Sequence, residues 1–213
     1  MPDFLCQDCG RRFEISESVL AKYPGWKPKT CMRCKQPSKN VKNATRRAIA
    51  SLREENLTTA EVLKKHQGGP KSGVFTDGAA EPNPGPGGWG VVYVEDDRII
   101  AEECGHDPKT TSNRMELFSL MAACRVVPPG KRVIVYSDSQ LCVNTFTDWA
   151  HSWEARGWRR KGGEIKNLDL VQELHAILKK RPELELQWIK AHAGNRWNEY
   201  ADSLATAYRR SVR

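Results

Sequence analysis

Residues 74–90, VFTDGAAEPNPGPGGWG, decide how the rest of the chain is read. Val74-Phe75-Thr76 is a short apolar strand, and Asp77 follows it directly. The stretch after Ala80, EPNPGPGG, is turn-rich, because proline removes a backbone donor and glycine loosens the chain. Working outward, Trp89–Val94 and Arg98–Cys104 form a predicted hairpin across Asp96-Asp97. Asn113–Val127 is apolar at helical spacing and stops at Pro128-Pro129-Gly130. Val133–Tyr136 is a continuous apolar run, as in a strand buried on both faces. Helical stretches near 139–149 and 167–180, a strand over Leu184–Ile189 and a last helix over Asn198–Arg210 complete the pattern. Strands first, then alternating strand and helix, predict an α/β fold with a mixed sheet flanked by helices.

The chain has 213 residues, 39% apolar and 8% aromatic, enough for a packed core and against wholesale disorder. No apolar run approaches the ~20 residues of a membrane span. The first residues, MPDFLCQDCGRR, lack the apolar stretch of a secretory signal. The expectation is a cytoplasmic monomer with no membrane partner. Charge is unevenly spread. Residues 1–71 hold 15 basic and 7 acidic side chains, the whole of the formal +8, whereas residues 72–213 hold 19 of each. A basic end on a balanced body points to a polyanion partner.

Cys6-x-x-Cys9 and Cys31-x-x-Cys34, with 21 residues between the pairs, have the spacing of a four-cysteine Zn²⁺ site. Forty residues bury too little surface to fold unaided, so the metal is structural. CQDCGRRFEIS resembles the start of a bacterial zinc ribbon, and residues 1–40 are read as one by that resemblance. Its partner is nucleic acid, through Arg11, Arg12, Lys27, Lys29, Arg33, Lys35 and Lys39, or else a protein. Residues 41–72 are read as a basic linker with helical pieces at Ala44–Glu55 and after Thr58, made flexible by Gly68–Gly73. Cys104, Cys124 and Cys142 are read as small buried residues.

Four strings in 73–213 carry chemistry: Thr76-Asp77-Gly78, Asn113-Arg114-Met115-Glu116, Ser137-Asp138-Ser139 and Tyr200-Ala201-Asp202. Asp77 and Asp138 each follow an apolar strand, at the edge where open α/β sheets place their sites. Any one of these aspartates is an ordinary turn former or helix cap. Gathered at one edge, such carboxylates repel unless cations neutralise them, and all-oxygen ligands suit Mg²⁺ or Mn²⁺.

TDGAAEPNPGPGGWG, TSNRMEL, SDSQ and IKAHAGNRWNEYADSLA together resemble the type 1 ribonuclease H family over residues 73–213. That resemblance implies a five-stranded mixed sheet and two-metal-ion hydrolysis of the RNA strand of RNA–DNA hybrids, leaving 5′-phosphate and 3′-hydroxyl ends. It makes Asp77, Glu116, Asp138 and Asp202 the Mg²⁺-binding catalytic carboxylates and His192 the mobile catalytic histidine. Asn83, Ser112, Asn113 and Gln140 match polar substrate contacts, whose amides and hydroxyl suit a 2′-hydroxyl or a base edge. The segment 149–166, WAHSWEARGWRRKGGEIK, resembles the basic handle that grips the DNA strand. There Trp153, Arg156, Trp158, Arg159, Arg160, Lys161 and Lys166 are the expected contacts, with Trp149 turned into the core. The rival readings are another nuclease or strand-transfer enzyme on this fold, which would lack NRMEL and the handle, and a non-catalytic binding module, which would lack a carboxylate.

Overall fold

The computed structural model describes residues 2–7, 9–35 and 56–210. They fall into two compact units, Met1–Glu55 and Asn56–Arg213. The expected helix over Ala44–Glu55 and the side chains of Arg33, Lys35 and Lys39 lie outside the described residues.

In the first unit, β1 (Asp3–Leu5) and β2 (Arg12–Glu14) pair antiparallel, Phe4 opposite Phe13. Two short helices come next in the chain, α1 (Glu17–Ala21) and α2 (Met32–Lys35). Only Cys6, Cys31 and Pro28 are buried among its described residues, so an apolar core does not hold it together.

The second unit is built on a five-stranded sheet. Its strands are β3 (Gly73–Ala80), β4 (Gly85–Glu95), β5 (Arg98–Thr110), β6 (Val133–Ser137) and β7 (Leu184–Trp188), in the order β5-β4-β3-β6-β7. β4 is antiparallel to both β3 and β5, while β3, β6 and β7 run parallel. The mixed sheet with flanking helices is the predicted fold. Asp96 and Asp97, at φ 47° and 60°, make the expected tight turn between β4 and β5.

The helices are α3 (Thr59–Lys65), α4 (Ser112–Val126), α5 (Gln140–Asn144), α6 (Ala150–Glu154), α7 (Leu168–Lys179) and α8 (Arg196–Ala205). On one face, α4 and α7 bury Leu117, Leu120, Val171 and Leu174 with Val74, Val91 and Val135. On the other, α8 buries Trp197, Tyr200 and Ala201 with Phe75, Val92 and Val62.

Val62 belongs to α3, which corrects the reading of residues 56–72 as linker. Thr58 caps α3 in a reciprocal box with Glu61. The helix packs on α8, with Val62 2% exposed. Its flanks are bonded as well. Ser203 Oγ donates to Leu57 O at 2.7 Å, Arg196 to Leu63 O at 3.2 Å, and the Arg196 N–H to Gly68 O at 2.8 Å. Residues 56–69 are a strap across α8. The capping box is legible in the sequence, but the surface it packs on lies more than 130 residues away.

Three further expectations change. Tyr136 stacks on Phe75 at 4.9 Å, and within β6 only Val135 and Ser137 are fully buried, so the strand is not closed on both faces. Cys104 is exposed, because β5 is the sheet's edge and alternates outward; Cys124 and Cys142 are buried as expected. The third concerns the handle. Residues Thr145–Trp149 form a π-turn, where Thr145 and Thr147 hydroxyls bond the carbonyls of Leu141 and Val143. An extra residue in one turn rotates the next turn of helix by about 100°. Trp153 is 8% exposed, while Trp149, expected in the core, is 37% exposed, and both rings line the cavity of the expected substrate contacts.

Candidate active site and cysteine cluster

Asp77 lies inside β3 rather than after it, but just past Thr76, where the parallel pairing with β6 stops. Asp138 follows β6 directly. The two parallel strands therefore end side by side with one carboxylate each. Glu116 is brought to them by a close approach of backbones. A Cβ at Gly78 would lie 2.1 Å from the Glu116 nitrogen and 2.3 Å from the Met115 carbonyl carbon. Only glycine lets α4 sit this low on β3. Gly78→Ala is expected to cost roughly 2–3 kcal/mol as overpacking and to push Glu116 off the site. Thermal unfolding and an activity assay on the same sample check both.

One oxygen from each of Asp77, Glu116 and Asp138 lies within 4.8 Å of the others. Burial first, then the charges of Asp138 and Asp202, hold the Asp77 carboxyl well above the usual range. For Glu116 the causes are burial and the charges of Asp77 and Asp138. Asp138 rises less, because Asn198 Nδ2 donates to its Oδ2 at 3.1 Å and His192 adds positive charge. The Glu116 Oε2 is buried and, among the described residues, unpartnered. A buried anionic oxygen without a donor, facing two more carboxylates, fits a hard divalent cation.

Asp202 groups with His192 and Glu199 rather than with the other three, although it hydrogen-bonds Asp77. His192 occupies a left-handed backbone conformation, φ 48°, in an exposed loop. Its Nδ1 is 3.8 Å from Glu199 Oε2, and that carboxylate pushes the His192 pKa up to about 9. Glu199 itself is held by the Gly194 N–H at 3.2 Å. Asn198 and Glu199 are not among the residues that the sequence singles out. Their only signal there is membership of the string NRWNEYAD, where helical spacing puts Glu199 one turn before Asp202.

The expected polar contacts surround a cavity of ≈ 550 Å³ lined by Asn83, Asn113, Arg160 and Lys166, with Trp149 and Asn167 as additions. Asn167 Nδ2 donates to Asn113 Oδ1 at 2.6 Å. Ser112 faces inward instead, its Oγ accepting the Ala80 N–H and its N–H reaching Asn83. Gln140 donates to Asn144 at 2.8 Å. Arg156, Arg159, Arg160, Lys161 and Lys166 are exposed, as a grip on a phosphate backbone requires. Arg156 is bonded back to Ser152. Trp158 is half-buried, its ring meeting the buried His175 edge-on at 5.6 Å.

In the first unit the Sγ atoms of Cys6, Cys9, Cys31 and Cys34 all lie within 4.8 Å of one another. Gly10, at φ 66°, turns the first knuckle, and its N–H bonds Cys6 O at 2.9 Å. The Cys31 N–H donates to Cys6 Sγ at 3.2 Å. Cys9 and Cys31 sulfurs are 3.8 Å apart, far from a disulfide but equal to the ~3.8 Å edge of a tetrahedron with ~2.3 Å metal–sulfur bonds. Hydrogen bonding to Cys9 and Cys31 pushes the Cys34 thiol up to about 12, and a bound cation is what would draw off its proton. The four residues fit zinc.

No described helix is long and apolar enough to cross a membrane. A profile of the RNase H family matches residues 69–210. The ribonuclease H of Methylorubrum extorquens is 42% identical over 139 residues, which span 65% of this chain and 60% of that protein. The ribonuclease H of Chromobacterium violaceum is 41% identical over 135 residues, spanning 62% of this chain and 90% of that one. Among solved structures, LC9-RNase H1, a type 1 RNase H with the type 2 active-site motif, is 34% identical with a TM-score of 0.55. The match covers 66% of this chain and 74% of that one. RNase H1 from Halobacterium salinarum NRC-1 shares the fold at a TM-score of 0.50 and 24% identity, over 67% of this chain and 99% of its own. A profile spanning about two thirds of the chain, with relatives matched over most of their own length, allows one assignment: this chain belongs to the ribonuclease H family of hydrolases.

Proposed function

We propose that the chain is an endonuclease that hydrolyses the RNA strand of RNA–DNA hybrids, with residues 73–213 as catalytic part and 1–40 as a zinc ribbon. The observation that carries this is the Asp77, Glu116 and Asp138 carboxylate group, whose buried Glu116 oxygen has no donor among the described residues. Asp77, Glu116, Asp138 and Asp202 would hold two Mg²⁺ ions, with Mn²⁺ as a substitute. Ions bound there would stabilise the attacking and leaving oxygens of an in-line displacement that leaves 5′-phosphate and 3′-hydroxyl ends. Asn198 fixes the rotamer of Asp138. His192, held protonated by Glu199, keeps a proton beside the site for the departing oxygen. Asn83 and Asn113 face the RNA strand, and Trp149, Arg160 and Lys166 the DNA strand. A cytoplasmic monomer fits the reduced thiols that the cysteine site requires.

The test is incubation of labelled RNA–DNA hybrid, double-stranded RNA, double-stranded DNA and single-stranded RNA with and without Mg²⁺. Only hybrid should be cut, only in its RNA strand and only with the ion. Metal-independent cleavage, or cleavage of double-stranded DNA, would overturn the reading.

The purified protein is expected to carry one Zn²⁺ per chain, and Cys6→Ser with Cys31→Ser to release it. Elemental analysis of both proteins decides the matter. Zinc retained by the double variant would rule out the four-cysteine site.

A further inference from the structure

The first unit carries a surface outside the carboxylate site and the cysteine cluster. Residues 22–29 read KYPGWKPK, three lysines and two aromatic rings with no acidic residue between them. The chain leaves α1 at Ala21 and turns tightly over Pro24-Gly25, the Trp26 N–H bonding Tyr23 O at 3.1 Å. That turn leaves both rings outside, Tyr23 61% and Trp26 41% exposed. They meet edge to face, 6.2 Å between centroids at 66°. Each ring restrains the other, which lowers the entropy lost on binding. Lys22, Lys27 and Lys29 are exposed and enter no ion pair among the described residues, whereas Arg12 is engaged by Asp3. Beside Trp26 a recess of ≈ 290 Å³ opens between Phe13, Ile15 and Met32, with Glu14 and Thr30 on its wall.

A unit so poor in core would gain by burying these rings, and the fold leaves them in water. Lysines alone would suit any polyanion. Rings among lysines suit one whose bases are bare, because a duplex already covers each base with its neighbours. We propose that this face binds single-stranded nucleic acid, with unpaired bases stacking on Tyr23 and Trp26 and Lys22, Lys27 and Lys29 neutralising the phosphates between them. The inference rests on the proposed nuclease function only for the choice of nucleic acid as partner. Its consequence is delivery of the enzyme to the single-stranded flanks of a hybrid.

The experiment uses the full chain, without Mg²⁺, and a fluorescein-labelled twelve-nucleotide oligo(dT) read by anisotropy, with zinc content measured on each sample. Tyr23→Ala and Trp26→Ala should each weaken binding about tenfold, the scale of one base–aromatic stack. Replacing the three lysines with Gln should flatten the slope of log affinity against log salt by about 2, at roughly 0.7 per phosphate. Cleavage of a blunt hybrid with Mg²⁺ should be unchanged in the two ring variants. Unchanged oligo(dT) affinity in the zinc-loaded ring variants would overturn the proposal and favour a protein partner. Equal loss of duplex and single-strand binding would overturn it in favour of a general backbone grip. Should a ring variant lose its zinc, photocrosslinking of bromouracil-substituted single strand to the unaltered chain decides instead. Adducts at Tyr23 or Trp26 support the proposal, and adducts confined to residues 56–210 refute it. Absence of hybrid cleavage in the unaltered protein would remove the proposed function while leaving this binding result intact.

Discussion

Asp77→Asn is expected to lower Mg²⁺-dependent hybrid cleavage by roughly three orders of magnitude while making the magnesium-free protein more stable. The two effects share one cause. Asp77 is 7% exposed and faces the charges of Asp138 and Asp202, so its ionised form is destabilised by burial and by repulsion. A carboxyl whose folded pKa is raised favours folding while protonated. That contribution is present below the unfolded value near 4 and fades as pH rises towards the raised folded value. Asparagine keeps the shape and removes the charge. The variant should therefore gain about 1–2 kcal/mol over its parent at pH 8, seen as about 4 °C in Tm. The gain should shrink as pH approaches 4. Saturating Mg²⁺ should raise the parent's Tm more than the variant's, because the ion relieves the same repulsion. A variant that cleaves at near-normal rates, or one less stable than its parent at pH 8, would remove the premise that these carboxylates are held together against their charge.

Truncation separates the strap from the linker that the sequence suggested. A fragment of residues 56–213 is expected to keep the parent's stability. One of residues 71–213, which still contains every catalytic string, is expected to lose about 4–6 kcal/mol. Burial of Val62 against Phe75 and Trp197 accounts for about 2 kcal/mol of this. The bonds from Ser203 and Arg210 to Leu57 O and from Arg196 to Leu63 O add about 1 kcal/mol each. Against the 5–15 kcal/mol of a typical domain this is a large fraction, a fall in Tm of roughly 10–20 °C. Activity should fall too, since Arg196 N–H to Gly68 O and the Gly68–Asn195 pairing hold the loop between His192 and α8. Denaturant melts of the two fragments give the result. Equal midpoints would mean that residues 56–70 are a linker after all.

What could be read from the chain was whatever short-range pattern records. Short apolar runs, each ending in aspartate, put Asp77 and Asp138 at the sheet edge, and the structure brings them there with Glu116. The spacing of Cys6, Cys9, Cys31 and Cys34 announced a cluster because two tight turns fix most of its geometry locally. Lysines and arginines of the handle lie outside, as their hydration demands. Other features depended on partners distant in sequence. Leu57 and Ser203 are 146 residues apart, and no local period in either segment marks their contact. Nothing local in the sequence marks the need for glycine at 78, which comes from α4 lying on it. Past a single π-turn, stabilised by two threonine hydroxyls, Trp149 is the more exposed and Trp153 the more buried of two touching rings, since a helical wheel counts 3.6 residues per turn and the chain here does not. Asn198 and Glu199 acquire their roles only when α8 docks beside β6 and the loop of His192. Side-chain periodicity reports which face of an element is buried, and packing decides what that face meets.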